Sequence, residues 1–115
     1  MTPPGPVQGA SAGATRRGRG GPSTEDLAEL SEIFSALADP TRLAIIYAIR
    51  ARERRGGDVA AALGLSEPLV SQHLRRLRSL RVVRVRHEGR RRFYQLDDNH
   101  VTTLLDVALD HVEIG

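Results

Sequence analysis

The sequence contains no cysteine, no tryptophan and no lysine, and its aromatic residues are two tyrosines and two phenylalanines. Without cysteine there is no disulfide, no thiolate metal site and no thiol redox sensor, so a bound metal has only nitrogen and oxygen donors to use. Without lysine, all seventeen basic residues are arginine; against fourteen acids they leave a net charge of +3 and an isoelectric point near 10.5. A guanidinium forks onto phosphate better than an ammonium does, so this excess implies a phosphate-bearing partner. No apolar run approaches the ~20 residues of a membrane span, and the N-terminus lacks the hydrophobic segment of a secretion signal, so a cytoplasmic protein is expected. A glycine-rich phosphate loop, a cysteine nucleophile and a histidine with a Ser or Asp relay are all missing, which argues against an enzyme. The 115 residues suffice for one small core, marginal alone and helped by a dimer interface.

Residues 1–22, MTPPGPVQGASAGATRRGRGGP, are rich in Gly, Pro, Ala and Ser and poor in large apolar groups. They cannot repay the entropy of ordering, and a disordered tail is expected. Arg16, Arg17 and Arg19 read as part of a solubilising leader, with contact to phosphates as the alternative. Residues 23–115 form the expected folded domain.

Ser23 or Thr24 can cap a first helix carrying Glu25 and Asp26 in its opening turn and Leu27, Leu30, Ile33, Phe34 and Leu37 at helical spacing. Asp39 can cap a second, with Pro40 at its first position and Leu43, Ile45, Ile46 and Ile49 in the core. Arg50 to Gly57 reads as a charged connection. In DVAAALGLSEPLVSQHLRRLRSL, residues 58–80, Asp58 can cap a short helix with Val59, Ala62 and Leu63 inward, which Gly64 ends in the left-handed conformation. Ser66 then caps a helix that turns Leu69, Val70, Leu74, Leu77 and Leu80 inward. Two helices joined by so short a glycine turn make a helix-turn-helix. VVRVR, a HEGR turn and RRFYQL follow as a hairpin, and Asp97 can cap a last helix running to about Val112. The expected fold is mainly α with a small β-hairpin, a winged helix-turn-helix.

Between Ser66 and Leu96 stand nine arginines and only Glu67 and Glu88, a local charge of +7. A charge run alone is usually a solvated face. Here Ser71, Gln72 and His73 fall early in the second helix, where such proteins present side chains to major-groove base edges, and Gln72 can both donate to and accept from adenine. Arg75, Arg76 and Arg78 are placed for phosphates, and Arg90, Arg91 and Arg92 sit at the hairpin tip, where a wing can carry them along the backbone or into a minor groove. With Ser66 at the helix start, these ten residues are the candidate contacts to double-stranded DNA. A winged-helix module for RNA or protein remains an alternative.

FSALADPTRLAIIYAI followed by DVAAALGLSEPLVSQHLRRLRSLRVVRVRHEGRRRFYQLDDNHV resembles the ArsR/SmtB family of metal-responsive winged-helix repressors, from about residue 25 to the end. The Ala-Asp-Pro-Thr-Arg entry, the Val-Ser-Gln-His-Leu segment, the Glu-Gly-Arg wing tip and the Asp-x-His start of the last helix occur in family order. The resemblance implies a homodimer built by the first and last helices, an operator with dyad symmetry, and blocked transcription.

His100 and His111 lie eleven positions apart on the last helix, bracketing Leu104 and Val107. They share a face but are separated by roughly 16 Å, too far for one ion. An antiparallel second copy of the helix brings His100 of one subunit beside His111 of the other, giving symmetric sites that Asp98 can join. Imidazole and carboxylate donors suit Ni, Co or Zn. The resemblance covers this site: Asp98, His100 and His111 match the first three positions of its Asp-x-His and His-x-x-His or His-x-x-Glu pattern, Ile114 occupies the fourth, and Glu113, one residue short, joins as a candidate from a frayed end. An incomplete set tilts the choice from Zn towards Ni or Co. The resemblance also implies that His111 hydrogen-bonds a backbone carbonyl near Arg81. A metal-blind repressor, or one taking its signal from a co-regulator protein, is the alternative. His73 and His87 read as surface or DNA-contacting residues rather than ligands.

Overall fold

A computed structural model describes residues 20–114, so most of the expected tail, including Arg16, Arg17 and Arg19, lies outside the described residues. The elements in order are α1 (Thr24–Leu37), α2 (Pro40–Arg50), β1 (Arg54–Arg55), α3 (Gly56–Leu63), α4 (Glu67–Ser79), β2 (Val83–Glu88), β3 (Arg91–Leu96) and α5 (His100–Ile114). The chain divides into two compact units between Ser35 and Ala36.

In the first unit a reciprocal cap starts α1. Asp26 N–H donates to Ser23 Oγ at 3.0 Å and Ser23 N–H donates to the Asp26 carboxylate at 3.2 Å, a capping box with Asp in place of the usual Glu. The apolar repeat on this helix is present, but Leu27, Leu30 and Phe34 are exposed.

The second unit is the winged helix-turn-helix. Asp39 accepts the Arg42 N–H at 2.8 Å and Pro40 occupies the first turn of α2, where no N–H is needed. Ile45, Ile46 and Ile49 of α2 meet Val59 and Ala60 of α3, Val70, Leu74 and Leu77 of α4, and Val82, Val83 and Tyr94 in one buried core. Gly64 ends α3 at φ 68°, ψ 33°, as its position after the helix requires. The hairpin is present, but β2 runs past the expected VVRVR to take His87 and Glu88 into the ladder, so only Gly89, at φ 62°, and Arg90 form the turn.

Several local expectations are corrected. The segment from Arg50 to Gly57 is not all connection: Arg54 and Arg55 form a short strand opposite Tyr94 and Phe93, making an antiparallel sheet of order β1-β3-β2. A two-residue strand carries too little alternation to be seen in sequence. Gly56 and Gly57 open α3 instead of preceding it, so Asp58 lies in the first turn and Arg55, at the cap, makes no side-chain bond. Ala60 is buried, and Ala62, expected inward, is exposed. On α4, Leu69, expected inward, is 37% exposed, while the adjacent Val70 is fully buried. Asp97 does not cap α5: its N–H donates to the Val82 carbonyl at 3.0 Å, and Asp98 accepts the His100 N–H at 2.8 Å. The helix continues to Ile114, past the expected Val112.

Helix α5 buries only Thr102. Its firmest tie is Arg50, at the end of α2, whose guanidinium forks onto both carboxylate oxygens of Asp106, with one bond of 2.6 Å. No helix among the described residues is long and apolar enough to cross a membrane.

The chain leaves α4 through Arg81 at φ 62°, a left-handed residue without being glycine. Arg81 N–H donates to the Arg78 carbonyl and Val82 N–H to the Leu77 carbonyl, each at 3.0 Å, the paired bonds of a Schellman turn in which glycine is usual. A side chain there costs about 1–2 kcal/mol, whereas glycine loses about 0.4–1 kcal/mol through the freedom of the unfolded chain. Arg81→Gly is therefore expected to stabilise the fold by about 0.5–1 kcal/mol, read from urea denaturation midpoints at an unchanged denaturant slope.

Candidate nucleic-acid interface

Helix α4 is built to show one face and hide the other. Ser66 Oγ accepts the Leu69 N–H at 3.3 Å and fixes the helix start, while burial of Val70, Leu74 and Leu77 fixes its rotation. Ser71, Gln72, Arg75, Arg76 and Arg78 consequently lie on the exposed side, as expected of a face offered to DNA. His73 departs from them: it is half-buried, and its Nδ1 lies 3.4 Å from Arg42 Nη1. Arg42 also donates through Nε to the Ala36 carbonyl at 2.6 Å, tying the start of α2 to both the residues before it and α4.

The wing carries the second basic cluster. Arg90 stands in the turn, and Arg91 and Arg92 open β3 opposite Glu88 and His87, all of them exposed. Its position is held from the base. Arg86 donates from Nε and Nη2 to the Glu53 carboxylate, the shorter bond being 2.6 Å, and stacks its guanidinium over Phe93 at 4.7 Å. A cleft of about 280 Å³ between the wing and the start of α3 is lined by Arg55, Gly56, Glu67 and the three wing arginines, among others. The helix-turn-helix and the wing arginines expected from sequence thus fall on one unit. Glu53, Arg86 and Arg42, which position them, carried no signal of their own, because a long-range ion pair has no spacing in sequence.

At the start of α5, Asp98 and His100 come together: His100 Nδ1 lies 3.1 Å from the second Asp98 carboxylate oxygen, and the imidazole is 86% exposed. An imidazole held at Nδ1 presents Nε2 outward, the arrangement in which a carboxylate orients a ligating histidine. His111 is exposed further along the same helix and is not brought to this pair. Glu113 is helical rather than frayed, roughly 200° around the axis from His111, so the two do not share a face. Among the described residues of one chain no group of three or more His, Asp or Glu side chains could hold a metal ion. The apolar stripe between the histidines stays uncovered, Val107 being 65% exposed.

The Glu53 carboxyl is held below the usual carboxylate range, chiefly by the hydrogen bonds from Arg86 and further by its charge, against a smaller opposing effect of desolvation. A carboxyl with a lowered folded-state pKa contributes stability above its unfolded value and loses it as pH falls through the folded one. The stability gap between the wild type and Glu53→Gln is therefore expected at neutral pH and to close below about pH 4, followed by urea midpoints from pH 7 to 3.

Comparison with known proteins agrees with this geometry. The family described as bacterial regulatory protein, arsR family, matches residues 39–85, which span α2, the helix-turn-helix and the start of the wing. A transcriptional repressor SmtB homolog of Synechocystis sp. is 44% identical over 91 residues, covering 79% of this chain and 69% of that protein. The cadmium resistance transcriptional regulatory protein CadC homolog of Staphylococcus aureus is 37% identical over 84 residues, 72% of this chain and 69% of its own. Among solved structures, the homodimeric winged helix-turn-helix DNA-binding domain of Mb0332 from Mycobacterium bovis superposes with a TM-score of 0.71 at 28% identity, over 76% of this chain and 81% of that one. The chain spans between 63% and 69% of the length of the first three curated relatives. With more than two thirds of a 44%-identical repressor covered, and the family match falling on the helix-turn-helix itself, the chain belongs to the arsR family of bacterial regulatory proteins.

Proposed function

We propose that this chain is a cytoplasmic transcriptional repressor that binds double-stranded operator DNA as a homodimer and answers to a transition metal ion. The observation that carries the reading is the exposed polar face of α4, with Gln72 among arginines that have no carboxylate partner, on the same unit as the arginine-tipped wing. Gln72 reads a base edge; Ser71, Arg75, Arg76 and Arg78 on α4 and Arg90, Arg91 and Arg92 on the wing hold phosphates; Ser66 sets the helix start. The exposed apolar residues of α1 and α5 support the homodimer, as does the homodimeric Mb0332 domain.

The donors on α5 fit nickel, cobalt or zinc in kind, and the cadmium-resistance relative supports a metal signal. Asp98 and His100 from one subunit, with His111 from the other, would hold the ion. When bound, it supplies a bridge between the two α5 helices that favours one dimer geometry over the other. Asp98 orients the His100 ring, Arg50 and Asp106 couple α5 to the end of α2, and the bond from Asp97 to Val82 couples its start to the exit from α4. The dimer's recognition helices must sit roughly 34 Å apart, so a shift of α5 passed through these ties weakens simultaneous docking, with typical coupling of about 1–3 kcal/mol. Ile114 at the fourth position favours a second reading, a repressor blind to metal or signalled by a co-regulator protein.

Operator binding is tested by fluorescence anisotropy with the protein's own promoter DNA. Gln72→Ala is expected to lose about 1–3 kcal/mol of discrimination at one base pair, while Arg76→Ala weakens all duplexes alike and lowers the salt slope by about 1. Loss of both effects would remove the DNA reading. Titration of the protein–operator complex with nickel, cobalt and zinc tests the signal. Release is expected in the wild type and not in His111→Leu, which still binds DNA; undiminished release in that variant would overturn the assignment.

A further inference from the structure

Two groups stand out among the arginines of the described residues. Arg50 and Arg86 are each forked onto a carboxylate. Arg75, Arg78 and Arg92 make no ion pair or hydrogen bond with any side chain among the described residues, yet they converge with Ser71 and Tyr94 on one cavity of about 70 Å³ between α4 and the wing. All five of these side chains can donate a hydrogen bond, and none is a carboxylate. Glu67 is not among the five; it lines the adjoining cleft, which Ser71 and Tyr94 also border.

Tyr94 is the unexpected member. It is only 8% exposed as a residue, and its hydroxyl, which is not sealed from solvent, has no hydrogen-bond partner among the described residues. The ring is held by the sheet, opposite Arg54 on one side and Val85 on the other, and lies within 3.8 Å of the space above Gly56. Three like charges around one small space repel each other, and the tyrosine hydroxyl at its edge stays available as a donor. A single oxyanion offsets the repulsion and accepts from that hydroxyl. The volume is far below the roughly 300 Å³ of a pocket for a drug-sized ligand, which excludes a nucleotide or a metabolite of that size.

We propose that this cavity is a seat for one phosphate group, and that its occupant is a single phosphodiester of the operator backbone in each half-site. The inference rests on the DNA-binding reading and deepens it, because the seat has walls from both α4 and β3. One phosphate held there by Ser71, Arg75 and Arg78 from the helix and by Arg92 and Tyr94 from the strand fixes the wing against the recognition helix. It also fixes the register of Gln72, the neighbour of Ser71, along the groove. Tyr94 becomes a DNA-contacting residue although it is buried and uncharged.

The test uses the full-length protein and operator duplexes in which successive phosphates are replaced, one at a time, by uncharged methylphosphonate. The wild type is expected to lose about tenfold in affinity at one position per half-site, the scale of one charge-assisted hydrogen-bond set. Tyr94→Phe and Ser71→Ala should bind the unmodified operator several-fold more weakly and respond less than the wild type to replacement at that same position. Thermal unfolding of Tyr94→Phe should match the wild type, since only an unpaired hydroxyl is removed. A wild-type profile with no such position, or variants that keep the full penalty there, overturns the proposal while leaving operator binding itself intact. Absence of operator binding removes the underlying reading as well. In a second arm, inorganic phosphate is titrated at constant ionic strength and followed by nuclear magnetic resonance. Saturable shifts at Ser71 and Tyr94 without any methylphosphonate effect assign the seat to free phosphate and overturn the phosphodiester.

Discussion

Burial of Val70, Leu74 and Leu77 against the isoleucines of α2 is the constraint on which the rest depends. Those three residues repeat at helical spacing, so once they enter the core the rotation of α4 about its axis is set. Everything on the opposite side, from Ser71 to Arg78, must then face outward. The helix has no freedom to present any other set of residues. Asp39, Pro40 and Ser66 add to this by fixing where α2 and α4 begin, each accepting or omitting a backbone N–H at a helix end.

A second theme is how the structure divides its positive charge. Two arginines that tie distant elements together are matched with carboxylates: Arg50 with Asp106 and Arg86 with Glu53. Those facing the groove side of α4 and the wing tip are left without such partners. The first group gains geometric precision from forked hydrogen bonds; the second keeps its charge without a carboxylate among the described residues. Because both pairs are partly exposed, they act as positioning contacts more than as large contributors to stability.

Helix α5 stands apart in its attachment. It buries Thr102, holds one ion pair to α2 and follows a short bonded turn after β3, while its apolar stripe remains uncovered. An element so weakly packed on its own chain gains most from a partner, and its connections to α2 and to Val82 give any displacement a path towards the helix-turn-helix. Asp98 pairs with His100 at the start of α5 within one chain, whereas His111 is not part of that arrangement.

Much of this was legible in the amino-acid sequence. Helix starts at Ser23, Asp39 and Ser66, the glycine stops, the alternation in the wing and the concentration of arginine after Ser66 depend on local chemistry within a few residues, and local chemistry is what sequence order preserves. What only the tertiary structure decided depends on residues distant in the chain. The pairing of Arg54 with Tyr94, the Glu53 clamp on Arg86, the half-burial of His73 beside Arg42, the exposure of Leu69 and the left-handed turn at Arg81 all follow from how elements meet. Sequence determined which residues form helices and where positive charge accumulates; packing decided which of those charges are neutralised and which stay open, because an ion pair or a buried ring is fixed by proximity in space, and spacing along the chain does not encode it.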